Sequence, residues 1–548
     1  FHITNKKYLK SDFWISYIGT KEQLHSEIRF YFSINNLVLF LNRQMRKLTS
    51  RLTNHSERYN QVVQQADLAE SSNVRWCMVI KPYGFAIREN IQGILDNMFK
   101  NTWHYNAYFP LFIPKSFLSK EAEHVEWFAK ECAVVTHYRL KNDPNGKWVV
   151  VDPEAKLEEE LIVRPTSETI IWDSYKKWIN SYRDLPILCN QRANIVRREM
   201  RTRIFLRTSE FLWQEWHTAH ATYEEAEAEA LKMIDVYKDF SENFLAISPV
   251  VWPKPAHDKF AGAIDTYAIE PMMQDFKALQ AGTSHFLGQN FGKAFDVKFT
   301  NENNELDYVR GTSWGVSTRL IGWLIMAHGD DNGLVIPPAL APTHVVVVPI
   351  FKTPEELKEI KEYIKPLIEK MENIYLKFEW KYTKENMKLR YKIDDDPNKT
   401  PWRKFNEREL KWVPIRITVG KRDIENGMLE IFNRETWEKN SMKVQEVLEI
   451  LEKQLLDSQK NLLQKNKEFR EKNTYYVDSY QDFAEKIEKW FVMAHWDGTV
   501  ESADKIQEEF KATIRCIPNK EYLEKDDEWK CIVSGKESKW RVLFAKSY

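Results

Sequence analysis

NIVRREMRTRIFLRTSEFLWQEWHTAH, residues 194–220, is the stretch on which the reading of this chain turns. From Arg192 to Arg207 six arginines stand against one acid, Glu199. Phe211, Trp213, Glu215 and His217 follow at every second position, a spacing that lines one face of a strand. Together the two halves predict a strand–loop–strand hairpin. Its loop suits an anionic, multi-phosphate ligand, because the guanidinium fork bonds phosphate or carboxylate in pairs and stays charged. Its return strand walls a small pocket. A basic surface hairpin satisfies the same pattern.

Outward from the hairpin, the chain has 548 residues, enough for several domains. Lys+Arg and Asp+Glu are 80 each, so any contact with nucleic acid must rest on local patches. Apolar runs such as Val345–Phe351 are too short to span a bilayer, so no membrane partner is expected. Cys77, Cys132, Cys189, Cys516 and Cys531 are scattered without a paired framework, as free thiols in a reducing compartment would be. The first residue is Phe1 rather than Met, which reads as a fragment of something longer.

Residues 1–59 carry ten Lys/Arg against four Asp/Glu and an apolar centre at Leu37–Leu41. They read as an appendage: a linker, the tail of a neighbouring domain, or a partner- or RNA-facing segment. Ile87, Ile91, Ile94, Leu95 and Met98 have helical spacing, and Tyr108–Pro114 reads as a short buried strand. Residues 161–165, LIVRP, read as a strand running into Thr166-Ser167-Glu168-Thr169. Thr166 and Glu168 there suit either a ligand amine or a helix N-terminus. Thr222–Ala246 is helical. Gln280–Gly292 gathers small, hydroxyl and amide residues and reads as a loop that approaches a ligand closely. Tyr308–Gly322 reads as a strand entering a helix near Ser317, with Arg319 at an anion-binding start. Pro337–Pro342 marks a domain boundary. Beyond it, strands at Val345–Ile350, Tyr375–Trp380 and Val413–Val419 alternate with a Thr353-capped helix, a small α/β sheet. Val444–Lys472 is a long charged helix, and residues 473–548 form a small terminal unit.

RPTSET (164–169), FLWQE (211–215), QAGTSHFLGQNF (280–291), TSWGVSTR (312–319), HGDDNGLVIPP (328–338) and the final Ser547-Tyr548, in this order, resemble the class II aminoacyl-tRNA synthetases. Within them the set is most similar to the prolyl-tRNA synthetase family of the eukaryotic/archaeal type, over about residues 59–548. The resemblance implies an α+β catalytic domain built on an antiparallel sheet over 60–341. It implies an α/β anticodon-binding domain over 342–450. A connector helix and small α/β C-terminal, zinc-binding-like domain would fill 451–548, with 1–59 an appendage or the remnant of a preceding domain. The implied reaction activates L-proline with ATP to prolyl-adenylate and transfers it to tRNA(Pro), in a cytoplasmic homodimer.

The implied residue roles are these. Arg197 touches both the α-phosphate and the amino-acid carboxylate. Arg207 and Thr208 hold the triphosphate and adenine end. Arg319, with Ser317, lies over the ATP. Gln280 and Thr283 contact the nucleotide, with Mg²⁺ close by Gln280 and no metal held by the protein alone. Thr166 and Glu168 hold the proline imino group, His285 sits at the proline pocket, and Phe211, Trp213, Glu215 and His217 wall it. Lys404, Arg408, Lys421 and Arg422 contact the anticodon stem-loop, or form a solvated basic face.

Several positions depart from the family pattern. Arg198 stands where an aromatic is expected, and Ser209 where an arginine is. Trp216, Phe276, Trp402 and Trp412 stand where glycine is expected, Trp216 beside the pocket wall. Relatives bind zinc through four C-terminal cysteines; here HWDGTVES carries none, and Val533 replaces one near Cys516 and Cys531, so no structural zinc is expected. His217 and His220 form an H-x-x-H without a third ligand. A synthetase-like tRNA- or partner-binding protein without turnover stays open as an alternative, as does another class II specificity such as threonine.

Overall fold

A computed structural model describes residues 48–118, 132–143, 146, 148–518, 529–538 and 540–548. Residues 1–47, including Leu37–Leu41, lie outside them. The chain divides into two units, Phe1–Arg58 and Tyr59–Tyr548; of the first, only residues 48–58 are described.

The second unit is organised by a seven-stranded sheet. Its strands are β1 (Tyr105–Ala107), β2 (Ile187–Val196), β3 (Glu210–His220), β4 (Val250–Pro253), β5 (Asp265–Glu270), β6 (Gly282–Gly288) and β7 (Arg310–Ser317). Their spatial order is β4-β5-β6-β7-β3-β2-β1. All neighbours are antiparallel except β1 and β2. The expected hairpin is β2–β3, paired from Glu210↔Val196 to Ala219↔Ile187.

Helix α1 (Pro82–Asn101) starts on a proline suited to its first turn and buries Ile87, Ile91, Ile94, Leu95 and Met98, the stripe its spacing predicts. Helix α2 (Glu168–Trp178) follows Ser167, and α3 (Tyr223–Asn243) opens on a capping box of Thr222 and Glu225. Such a cap contributes about 1 kcal/mol. Helix α4 (Arg319–His328) leaves β7 with Arg319 as its first residue and is buried over most of its length. The core between these helices and the sheet holds Trp216, Trp314 and Trp323, and the Trp323 indole donates to the Leu279 carbonyl at 2.7 Å.

A five-stranded sheet follows: β8 (Val345–Ile350), β9 (Tyr391–Ile393), β10 (Ile415–Gly420), β11 (Leu429–Asn433) and β12 (Lys439–Met442), in the order β9-β8-β10-β11-β12. Strand β8 is parallel to both neighbours, which explains its unbroken apolar sequence. Helix α5 (Val444–Lys472) has the bounds expected. It packs back on the first sheet's unit, where Gln459 donates to the Asn243 and Phe244 carbonyls and Asn466 accepts from the Ser248 amide. A four-stranded sheet ends the chain: β13 (Thr474–Val477), β14 (Phe491–His495), β15 (Thr513–Cys516) and β16 (Arg541–Ala545), ordered β13-β14-β16-β15.

Five sequence expectations change. Tyr108–Pro114 is not one buried strand. Only Phe112–Pro114 is strand, and Tyr108 and Phe112 face outward. Gln280–Gly292 is not a loop, since residues 282–288 are the sheet strand β6. Tyr375–Glu379 does not join the α/β sheet; it pairs only with Lys384–Lys388, because its alternate residues face solvent. Lys404 and Arg408 are not a free basic face. Lys404 is buried against the Phe351 ring, and Arg408 forks onto Asp394 at 2.7 and 3.0 Å. Lys421 and Arg422 are exposed.

Trp216 is the fifth. It lies on the other face of β3 from Glu215 and His217, and its ring stacks on Trp314 at 4.3 Å and meets Phe99 edge-on at 4.8 Å. Its side chain therefore fills the core behind the sheet, while residue 216 itself borders the cleft between Glu215 and His217. Of the other positions expected to be glycine, Phe276 and Trp412 have left-handed backbones, with φ of 65° and 55°.

Candidate active site

Period-two alternation on β3 puts Phe211, Trp213, Glu215 and His217 on the sheet face opposite the Trp216 core. Pairing then adds rows. His217 lies across from Ser313, Ser313 from His285, and His285 from Thr266. Glu215 lies across from Gly315 and Gly315 from Thr283. These rows floor a cleft of about 510 Å³, walled also by Thr166, Glu168, Arg197, Gln280, Ser317, Arg319 and the segment Lys254–Ala261. A Cβ at Gly315 would come within 2.9 Å of the Gln214 carbonyl, so the floor is open there because only glycine fits.

The proposed amino-acid side is tightly bonded. Glu215 accepts from Ser167 Oγ at 2.5 Å and from Gln191 Nε2 at 2.8 Å, and lies 3.4 Å from His217 Nε2. Burial pushes its carboxyl up, but the His217 contact and charge, with Ser167 and Gln191, outweigh this and hold it below the usual range. Thr166 donates to Glu168 at the start of α2. His285 Nδ1 lies 3.0 Å from Thr266 Oγ1, and its ring is 4.6 Å from Phe260. Burial, with His217 nearby, lowers His285 to about 3, so the imidazole is neutral at physiological pH.

The other side is cationic. Arg197 donates through Nε to the Pro165 carbonyl at 2.7 Å, with its guanidinium 5.3 Å from the Trp213 ring and 5.8 Å from Phe211. Arg319 donates to the Leu206 carbonyl at 3.1 Å and the Gln280 carbonyl at 2.9 Å. Burial lowers it to about 10, followed by repulsion from Arg207, which leaves it charged near neutral pH. Two fixed cations in a half-enclosed cleft suit an anion built of several phosphates.

Arg207 and Thr208 are not part of the cleft lining. Arg207 is half-exposed, 3.7 Å from Glu199 and 3.4 Å from the Tyr548 carbonyl, and Thr208 donates to the Glu210 carbonyl. The substituted Ser209 is absorbed locally, accepting the Glu199 amide at 3.2 Å. His217 and His220 point to opposite faces of β3, and His220 Nε2 lies 2.8 Å from Thr218 Oγ1. No group of three or more His, Cys, Asp or Glu suited to a metal is found among the described residues. In the C-terminal unit Asp497 accepts from Thr499, Ser502 and Ser534. Sequence reasoning passed over Lys254, Phe260, Thr266 and Ser313, since only strand register brings them to the cleft.

Buried neutral histidines make the fold acid-sensitive. Burial lowers His285 to about 3 and His220 and His328 to about 4, from the ordinary 6.5. Unfolding therefore takes up protons below pH 6.5, and the stability due to neutral histidine is lost as pH falls toward the folded values. The expected outcome is a Tm that declines from about pH 7 to about pH 5. A thermal melt series that stays flat across that interval contradicts it.

Three family descriptions match this chain. Residues 150–328 match the tRNA synthetase class II core domain (G, H, P, S and T), residues 344–454 the anticodon binding domain, and residues 480–548 the prolyl-tRNA synthetase C-terminal domain. A proline–tRNA ligase of Phocaeicola vulgatus is 58% identical over 506 residues, 92% of this chain and 99% of that protein. One from Cytophaga hutchinsonii is 56% identical over 505 residues, 91% of this chain and 99% of its own length. Among solved structures, prolyl-tRNA synthetase of Cryptosporidium parvum complexed with L-proline and AMP superposes with a TM-score of 0.80 at 34% identity, covering 91% of this chain and 96% of that one. The same enzyme complexed with halofuginone and AMPPNP gives 0.81 at 35%, covering 92% and 97%.

Proposed function

The chain belongs to the prolyl-tRNA synthetase family, and from that premise we propose which side chains of the cleft serve each substrate. It is a class II proline–tRNA ligase that activates L-proline with ATP and charges tRNA(Pro). A proline carboxylate oxygen attacks the α-phosphorus of ATP and pyrophosphate leaves. The terminal ribose hydroxyl of the tRNA then attacks the activated carbonyl and AMP leaves. The first step joins two anions, so the protein's task is to align them and offset their charge.

Arg197 bridges the carboxylate and the α-phosphate; what supports this is its place on the cleft wall, bonded to the Pro165 carbonyl and beside Trp213. Arg319, with Ser317, lies over the phosphates. Gln280 and Thr283 contact the nucleotide. Gln280 would stand beside a Mg²⁺ brought in with ATP, whose charge would help to offset that of the phosphates. Arg207 and Thr208, at the end of the hairpin loop, serve the triphosphate and adenine end. Thr166 and Glu168 receive the secondary ammonium, and Phe211, Trp213, Glu215, His217 and His285 enclose the ring. The single observation that carries this division is that one cleft holds Glu168 and Glu215 together with Arg197 and Arg319.

The domain limits follow as 60–341 catalytic, 342–450 anticodon-binding and 451–548 C-terminal, with 1–59 an appendage. Exposed Lys421 and Arg422 are the anticodon contacts. We read the architecture as the eukaryotic/archaeal type, supported by the C-terminal sheet and by Tyr548 docked at residue 278, although the two curated ligases named above are bacterial. The protein acts as a homodimer in the cytoplasm. Exposed Tyr105 on edge strand β1 and Tyr108 just beyond its end supply an apolar patch for a second copy, and no helix among the described residues is long and apolar enough to cross a membrane. Proline-dependent ATP–pyrophosphate exchange tests the reading. Folded protein without exchange leaves the binding-only alternative, and preferred exchange with threonine displaces proline.

A further inference from the structure

Lys254 follows β4, and its side chain is almost wholly enclosed, yet it lines the cleft. Its Nζ lies 2.8 Å from Glu270 Oε1 and 3.3 Å from Asp258 Oδ2. Glu270, fully buried at the end of β5, is met from the other side by Arg515, with Nη2 at 2.8 and 3.0 Å from its two oxygens and Nε at 3.3 Å. Arg515 stands on β15, in the C-terminal sheet. Burial pushes the Glu270 carboxyl up, and the Lys254 and Arg515 charges more than offset it. The neighbouring Ile517 amide donates to the Pro253 carbonyl at 2.8 Å.

The far end of the same segment closes on the cleft. Asp258 ends the short turn Ala256–Asp258. The Phe260 amide donates at 3.0 Å to Thr266 Oγ1, the oxygen that faces His285 Nδ1. Residues 254–261 are thus a wall pinned at one end by the C-terminal domain and at the other beside His285.

We infer that Arg515 is a positioning residue for amino-acid binding, acting through Glu270 and Lys254 to hold the wall 254–261 against His285. The inference rests on the assignment of His285 to the proline end. A mere staple between domains would affect melting and leave substrate affinity alone.

The test uses the full chain in proline-dependent pyrophosphate exchange. Arg515→Ala raises the proline KM about tenfold or more, with kcat within about twofold and the ATP KM unchanged, and Arg515→Lys recovers most of the loss. Asp258→Asn loosens the exposed end of the same link and raises the proline KM in the same direction, which keeps the inference testable should Arg515→Ala not fold. Wild-type exchange with an unchanged proline KM in the folded variants overturns this inference alone. No exchange in the wild type overturns the functional assignment, and this inference with it.

A separate observation concerns tryptophan. Trp76, Trp103, Trp412 and Trp437 have φ of 67°, 67°, 55° and 63°, four of the eleven left-handed non-glycine residues described. Bulky side chains rarely adopt that conformation, and asparagine and aspartate together supply only three, Asp67, Asp296 and Asn304. Guanidinium contacts reach three of the four rings, Arg75 on Trp76 at 4.4 Å and Arg434 on Trp412 and Trp437 at 4.7 and 4.4 Å, each contributing only about 0.5–2 kcal/mol. Trp103 is 75% exposed and Trp437 44%, and Trp412 is buried with its indole N–H lacking an acceptor. Meanwhile the chain holds 20 tryptophans and 17 glycines, and that glycine count is under half of the usual ~7%.

The geometry points to glycine at 76, 103, 412 and 437 in the polypeptide made by the cell, each position encoded by an opal triplet, UGA, that the cell reads as glycine. Sequencing the gene, and weighing the tryptic peptides of the protein from its source cells, test this. UGA at all four positions with glycine masses is the expected result. UGG at any of them, or tryptophan masses, overturns it.

Discussion

Replacing Arg197 by alanine lowers proline-dependent pyrophosphate exchange by on the order of 10³-fold while the fold persists. In the proposed assignment Arg197 stands at the meeting point of the two anions. Its guanidinium lies 5.3 Å from Trp213, and its one side-chain bond described above is to the Pro165 carbonyl at 2.7 Å. Removing one preorganised donor from a charge-developing centre typically costs about 3–4 kcal/mol of barrier, and Arg197 serves two oxyanions. Wild-type exchange in the folded variant would falsify the placement of the α-phosphate.

Glu168→Gln is the second large effect. Glu168 opens α2 and already receives the Thr166 hydroxyl. A secondary ammonium leaving water needs an anionic acceptor, and the amide keeps the shape while removing the charge. A hydrogen bond to a charged group contributes about 1.5–3 kcal/mol, which corresponds to a rise of roughly 10- to 150-fold in the proline KM. The ATP KM stays near its wild-type value. Equal changes in both constants would mean that Glu168 only shapes the start of α2.

The hairpin, α1 and α5 were legible because their signals are local. Alternation at Phe211, Trp213, Glu215 and His217 and the 3.6-residue stripe from Ile87 to Met98 each follow from one segment's own period. Strand β6 was not legible. Gly282, Thr283, Ser284 and His285 show no apolar alternation, because one face lines the cleft and the other packs on α3, where Ser284 Oγ donates to the Ala230 carbonyl. The wall 254–261 and the Glu270 cluster were invisible for another reason: they form only when β4 and β5 pair and the C-terminal sheet docks. Trp216 is different again. Its odd-numbered neighbours were already assigned to the pocket, and parity alone puts residue 216 behind the sheet. Lys404 and Arg408 looked like surface charge because their partners, Phe351 and Asp394, are distant in sequence.

The most direct measurement is a crystal structure of the full chain with a non-hydrolysable prolyl-adenylate analogue. The pyrrolidine ring should lie between Trp213 and His285, its nitrogen within hydrogen-bond reach of Glu168, and the phosphate mimic against Arg197. An analogue bound outside this cleft, or bound within it with Arg197 turned away from the phosphate mimic, contradicts the account.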